Sequence, residues 1–216
     1  MKNLFLMLIF VSVCSFMTAQ NTANDLFNTD EIVWFGLDFS KAKFIGHFDQ
    51  AAGAAPATSG DIKHNYVAAW NNLIPSEPKR YDIGKTFRKS IVSFDLGPVT
   101  VSNRTMDEGT MMSYNDYSFE NAAAVVENIV SGYSNISKKE GIGVVFIIEY
   151  FNRTNQQTSA YVTFFDIASK DILFTERMTG KPRGIGLRNY WAGSIHNILT
   201  QIDKNAYRSW QRAYGK

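Results

Sequence analysis

The chain has one cysteine in 216 residues, Cys14. A lone thiol forms no internal disulfide, and it cannot supply the paired cysteines of a zinc finger or a redox motif. Charge of either sign is also scarce in excess: 22 basic residues face 20 acidic ones, for a formal net charge of +2. That balance excludes the strongly basic composition of a typical nucleic-acid binder. Histidine occurs three times, at His47, His64 and His196, and no two of these stand four apart, so a helical His-Glu-x-x-His metal motif is excluded. After residue 20 no unbroken apolar run exceeds five residues, the length of Val144–Ile148, far short of the roughly 20 needed to span a bilayer. Gly-x-Ser-x-Gly and Walker-type glycine loops are absent as well.

What is present begins with the leader. Met1-Lys2-Asn3 precedes an apolar stretch from Leu4 to Val13, and Thr18-Ala19 offers small residues before Gln20. This is the layout of a signal peptide over residues 1–19, cleaved near Ala19, and it predicts a secreted or periplasmic protein. Cleavage would remove Cys14 and Lys2, leaving a thiol-free chain in which 21 basic residues face 20 acidic ones. Lipidation of Cys14 would require a small residue before it, where Val13 stands. Residues 20–30 are polar and read as a flexible N-terminus, and residues 31–216 read as a single α+β domain.

Within that domain, Ile32–Phe39 is rich in β-branched and aromatic residues and predicts a strand, with a second extended piece over Lys43–Phe48. Gln50–Gly60 is small and low in complexity, hence a surface loop. Ile62, Tyr66, Trp70 and Leu73 repeat at helical spacing, ended by Pro75 and Pro78. Tyr81–Lys89 is ambiguous, with a second short helix as one reading. Ser90–Leu96 and Val99–Ser102 read as strands, and Phe119 to Tyr133 as a helix capped by Ser118. Gly143–Tyr150, Ser159–Asp166 and Ile172–Met178 read as a three-strand meander. A glycine-bearing loop and a helix from Leu187 close the chain. The strands come in pairs, which predicts an α+β fold: a mixed, mainly antiparallel sheet with about three helices packed on one face.

Candidate chemistry is sparse. Lys181, Arg183, Gly184, Gly186 and Arg188 lie between a strand and a helix start, where free amides and nearby cations bind anions; equally, the glycines serve a tight loop. His47 and His64 flank the Gln50–Gly60 loop and are the one conceivable pair for a two-histidine site. No catalytic residue, metal site or cofactor is nominated. Most aromatic residues fall on core stripes, and Tyr207, Trp210 and Tyr214 are the ones expected to be exposed.

The segment Val144–Ile202, with Phe165-Asp-Ile-Ala-Ser-Lys-Asp-Ile-Leu173 between two strands and a helix beyond, resembles the periplasmic α/β domain of cell-envelope lipoproteins such as the penicillin-binding-protein activators and curli-secretion lipoproteins. It departs from them at the turn, where Lys170-Asp171 replaces glycine, and at the acylation site. The whole chain resembles secreted proteins of Bacteroidetes type. The resemblance implies an envelope binding or assembly role without catalysis, and it assigns no functional residue. The expected partner is another envelope protein or an unidentified ligand, with no nucleic acid and no transmembrane segment in the mature chain. An anion-binding role for the Gly180–Arg188 loop and a hydrolase with a non-standard site are the alternatives.

Overall fold

A computed structural model describes residues 20–48 and 57–216. The leader and most of the Gln50–Gly60 loop lie outside the described residues. The strands are β1 (Glu31–Asp38), β2 (Lys43–Ile45), β3 (Ile91–Phe94), β4 (Met112–Ser113), β5 (Ile142–Asn152), β6 (Gln157–Asp166) and β7 (Ile172–Gly180). The helices are α1 (Ala23–Asn28), α2 (Ser59–Asp61), α3 (Val67–Ser76), α4 (Ile83–Phe87), α5 (Gly97–Asn103), α6 (Ala122–Ser131), α7 (Leu187–Gln201) and α8 (Tyr207–Tyr214). Two π-helical turns, Ile62–Tyr66 and Ile202–Ala206, join α2 to α3 and α7 to α8.

The domain is α+β, but the sheet is mainly parallel, which corrects the expected antiparallel arrangement. Strands β1 to β5 all run the same way, and only β6 is reversed, pairing antiparallel with β5 and β7. The meander β5–β6–β7 is as expected; the error lies upstream. β6 occupies one edge of β5 over its whole length, so β1 (opposite Gly143–Ile147) and β2 (opposite Tyr150–Asn152) share the other edge end to end. The chain therefore does not turn back between β1 and β2. It kinks: Ser40 N and Oγ both donate to Asp38 Oδ1, and Ala42 N donates to Phe39 O. Val99–Ser102, read as a strand, is instead part of α5. Pro98 in the first turn presets the helical φ, and this local signal outweighs the β propensity of two valines.

The helices also occupy both faces rather than one. On β5, Val144, Phe146 and Ile148 point to a large core with α3, α4, α7 and α8, while Val145 and Ile147 point to a smaller one with α5 and α6. A strand buried on both sides needs an unbroken apolar run, and that is what residues 142–148 supply. In β1 the alternation is reset by a bulge between Trp34 and Gly36. A Cβ at Gly36 would stand 2.4 Å from Asn71 Oδ1, and the residue has φ +109°, so both space and backbone demand glycine there.

Residues 20–30 hold α1, whose Leu26 is fully buried, and Lys89 Nζ donates to Leu26 O and Thr29 O at its C-terminal end. Trp210 and Tyr207, expected to be exposed, are buried, and Tyr214 stacks on Phe174 with ring centroids 4.4 Å apart.

Candidate functional site

β3 pairs with β1 only as far as Trp34, so among the described residues no strand lies beside the outer edge of β1 beyond that point. Two asparagines substitute for the missing strand. Asn71 of α3 accepts from Leu37 N at 2.7 Å and donates to Leu37 O at 2.9 Å. Asn103 of α5 accepts from Phe39 N at 2.6 Å and donates to the same Leu37 O at 3.0 Å. All the groups are buried, so each hydrogen bond replaces one that water would otherwise make. The amides tie α3 and α5 to the carboxyl end of β1 and leave a cleft on each side of α5.

β1 is central among three parallel strands: the chain runs from β1 through β2 and then α3 on one face to β3, and from β3 through α5, β4 and α6, with both helices on the opposite face, to β5. Such a reversal opens a crevice at the carboxyl ends of the strands, where open α/β sheets bind ligands. The cleft between α5 and α6 occupies this place. Its volume is about 450 Å³, within the usual range for small-molecule sites. Val101, Val125, Ile129 and Phe119 make it apolar, and Ser40, Lys41, Ser102, Thr105 and Asn128 contribute polar groups.

Two buried carboxylates hold its walls. Asp38 is fully buried; besides Ser40 it accepts from the Tyr133 hydroxyl at 3.0 Å. Burial first, then the adjacent Asp38 charge, push Tyr133 well above the ordinary tyrosine value, so it stays a donor. Glu149 stands at a register shift in β5, also fully buried. Its Oε1 accepts from Phe119 N at 2.9 Å, and its Oε2 accepts from Ser159 Oγ at 2.7 Å and from Arg177 Nε and Nη2 at 2.9 and 2.7 Å. Glu149 thereby fixes the segment that carries Tyr117 and Phe119, the latter stacked on Tyr161 with ring centroids 5.5 Å apart. Burial and then Glu149 raise Tyr117 as well. Neither carboxylate was singled out from sequence. The signal was a single acid inside each apolar strand, Ile-Val-Trp-Phe-Gly-Leu-Asp38 and Val-Val-Phe-Ile-Ile-Glu149.

On the other side of α5 lies a second cleft of about 550 Å³, lined by Lys63, His64, Asn72, Thr100 and Arg104. Glu108 pairs there with His64 Nε2 at 3.0 Å and Lys63 Nζ at 3.4 Å. His47 is elsewhere, its ring 5.0 Å from Tyr114. Among the described residues no group of three or more His, Cys, Asp or Glu could hold a metal ion.

The glycine loop nominated from sequence lies apart from both clefts, folded onto α7. A Cβ at Gly180 would stand 2.2 Å from Ser194 O, and one at Gly193 would stand 2.0 Å from Arg183 O. Lys181 N donates to Asn197 Oδ1 and Arg183 N to Tyr190 O, so two of the loop amides are already used. Gly184 and Gly186 both have positive φ. The side chains of Lys181, Arg183 and Arg188 are exposed, and Arg188 Nε donates to Asn189 Oδ1.

No protein-family model matches this chain. No curated protein matches it either. The function is therefore argued from the site. Among the described residues no helix is long and apolar enough to cross a membrane.

Proposed function

We propose that the chain is an exported, non-enzymatic binding module of the cell envelope, and that it holds a small amphipathic molecule between α5 and α6. The observation that carries this reading is the lining of the 450 Å³ cleft: apolar walls with a few hydroxyls, an amide and Lys41, and, among the described residues, neither a carboxylate nor an imidazole in that lining. Such a surface desolvates an apolar body and orients it by hydrogen bonds. Of the hydroxyls that line it, Ser40 Oγ donates to Asp38 at 2.6 Å. A carboxylate so held lacks the imidazole relay of acyl-transfer enzymes. Export is supported by the leader pattern of residues 1–19, and mass spectrometry of the secreted N-terminus tests it: processing near Ala19 is expected.

The binding reading is tested with the amphipathic anionic dye anilinonaphthalene sulfonate. A single saturable site is expected, abolished by Ser102→Phe, which fills the cleft, with thermal unfolding unchanged. Dye binding that Ser102→Phe leaves intact refutes the site.

One observation favours a second reading, an anion at the Gly180–Arg188 loop: Lys181 and Arg183 are exposed and, among the described residues, pair with no acid. Phosphate or sulfate binding lost in Arg183→Ala would select it. A protein partner would dock on the terminal strand β3, where Ile91 and Phe94 are 54% and 43% exposed. An added strand from the partner would cover both.

A further inference from the structure

We propose that the C-terminal helical arm is an electrostatic docking surface that lays this domain on an anionic lipid bilayer. Charge along the chain is uneven. Residues 180–216 hold seven of the 22 basic residues and one of the 20 acidic ones, leaving 15 basic and 19 acidic residues in the rest. Within that segment Lys204, Arg208 and Arg212 follow one another at intervals of four through the π turn and α8, and Lys216 repeats the interval just past the helix end. All four are exposed. Four helical residues advance about 6 Å and overshoot a full turn by about 40°, so these cations form a ridge.

The opposite side of the same helix is already used. Tyr207 and Trp210 are buried, and Tyr214 lies against Phe174. The ridge therefore faces outward and has no apolar face with which to insert. Among the described residues none of its four cations forms an ion pair; Arg212 reaches only Ser209 Oγ, at 3.3 Å. The nearby acids are engaged elsewhere: Asp203 faces Lys85 Nζ at 3.5 Å, and Glu176 accepts from the Tyr214 hydroxyl at 2.7 Å. Arg88, also exposed, lies 5.0 Å over the Tyr207 ring and adds a cation beside α8.

Like charges at i and i+4 repel and disfavour a helix, whereas a glutamate at alternate positions would stabilise it. Here the unfavourable order runs from Lys204 through Arg208 to Arg212, two successive intervals within the helical segment. Attraction to the negative helix C-terminus accounts for Arg212 and Lys216, but it fades within a turn and does not reach Lys204. Such a row repays its cost only against an external anion. Reading a polyanion chain takes a groove or stacking aromatics, and the ridge is convex, flanked by Asn205, Ser209 and Gln211. A flat anionic surface asks only for unpaired cations within a Debye length of it.

The test is co-sedimentation of the full chain with vesicles of phosphatidylcholine alone or mixed with phosphatidylglycerol, at low and physiological salt. Binding to the mixed vesicles is expected to exceed binding to the neutral ones and to fall with salt. Each cation near such a surface contributes about a factor of five, so Arg208→Glu/Arg212→Glu is expected to weaken binding at least roughly thirtyfold. Arg208→Lys/Arg212→Lys should bind like the parent. Both pairs of substitutions are at exposed positions, and circular dichroism checks that the fold is kept. Equal binding to both vesicle types overturns the proposal, because the apolar leader alone would produce that. So does parental binding by the glutamate variant. Retention on DNA or a sulfated polysaccharide without vesicle binding overturns the lipid assignment.

Discussion

Replacing Asn71 and Asn103, singly and together, should reveal how the open edge of β1 is held. Asn71→Ala removes the partner of Leu37 N, while Leu37 O keeps its bond from Asn103 Nδ2. Asn103→Ala removes the partner of Phe39 N, while Leu37 O keeps its bond from Asn71 Nδ2. Each single variant thus strands one buried N–H, at about 1–3 kcal/mol. The double variant strands both N–H groups and, in addition, Leu37 O, which neither single variant deprives. It should therefore be less stable than the sum of the singles by a further 1–3 kcal/mol or so, the cost of that carbonyl.

Urea unfolding followed by circular dichroism measures all four corners of this cycle. In a domain of this size each kcal/mol also moves the thermal midpoint by about 2–4 °C. The double variant, with a loss of about 3–9 kcal/mol by the same addition, would approach the limit of a stable fold. Strict additivity within about 0.5 kcal/mol would mean that Leu37 O is not the shared partner, and the surrogate-strand account of this edge would be wrong.

Three other outcomes are expected. Burial of Lys89 lowers its folded pKa to about 8 from 10.5; the unfolded chain then binds more protons in that interval, so stability should rise as pH climbs from about 8 toward 10.5, measured against Lys89→Met, which should lack the rise. Gly193→Ala places a Cβ 2.0 Å from Arg183 O and should destabilise by more than Gly186→Ala, whose Cβ meets nothing within 4 Å and whose penalty is its backbone conformation alone, φ 77° and ψ 153°, about 1–3 kcal/mol; comparable urea midpoints would contradict this. Arg177→Met strips the charged partner from fully buried Glu149 and should cost about 2–3 kcal/mol, the usual 3–5 for a buried pair being reduced because Arg177 is half in solvent; a loss below about 1 kcal/mol in the same unfolding assay would argue against Glu149 as the anchor of Phe119.

Sequence periodicity captured the elements whose environment is uniform along their length. β5, β6 and β7 are each long enough to show their pattern, and the turns between them are short, so hairpin logic applied and succeeded there. α7 was found because Leu187, Trp191, Ile195 and Ile198 fall on one buried stripe. Strand direction upstream was not legible, because it is set by contacts distant in sequence. Nothing between Phe39 and Ala42 distinguishes a kink from a reversal until Asp38 is seen to hold Ser40, and the edge that β2 joins belongs to a strand a hundred residues later. The candidate cleft was hidden for the same reason. Its lining comes from the β1–β2 kink, α5, the Tyr117–Phe119 segment and α6, none of which carries a motif. The acids beneath it did leave a trace. A lone Asp38 or Glu149 in an apolar strand must be hydrogen-bonded on every side if it is buried, and the groups that satisfy it, Tyr133, Ser40, Ser159 and Arg177, are the groups that fix the walls of the cleft. An isolated acid in an apolar strand is thus a sequence-level pointer to a place where a loop is pinned: Asp38 and Glu149 border the same cavity, and Asp166, at the end of β6, accepts from Asn21 and Ser169 instead.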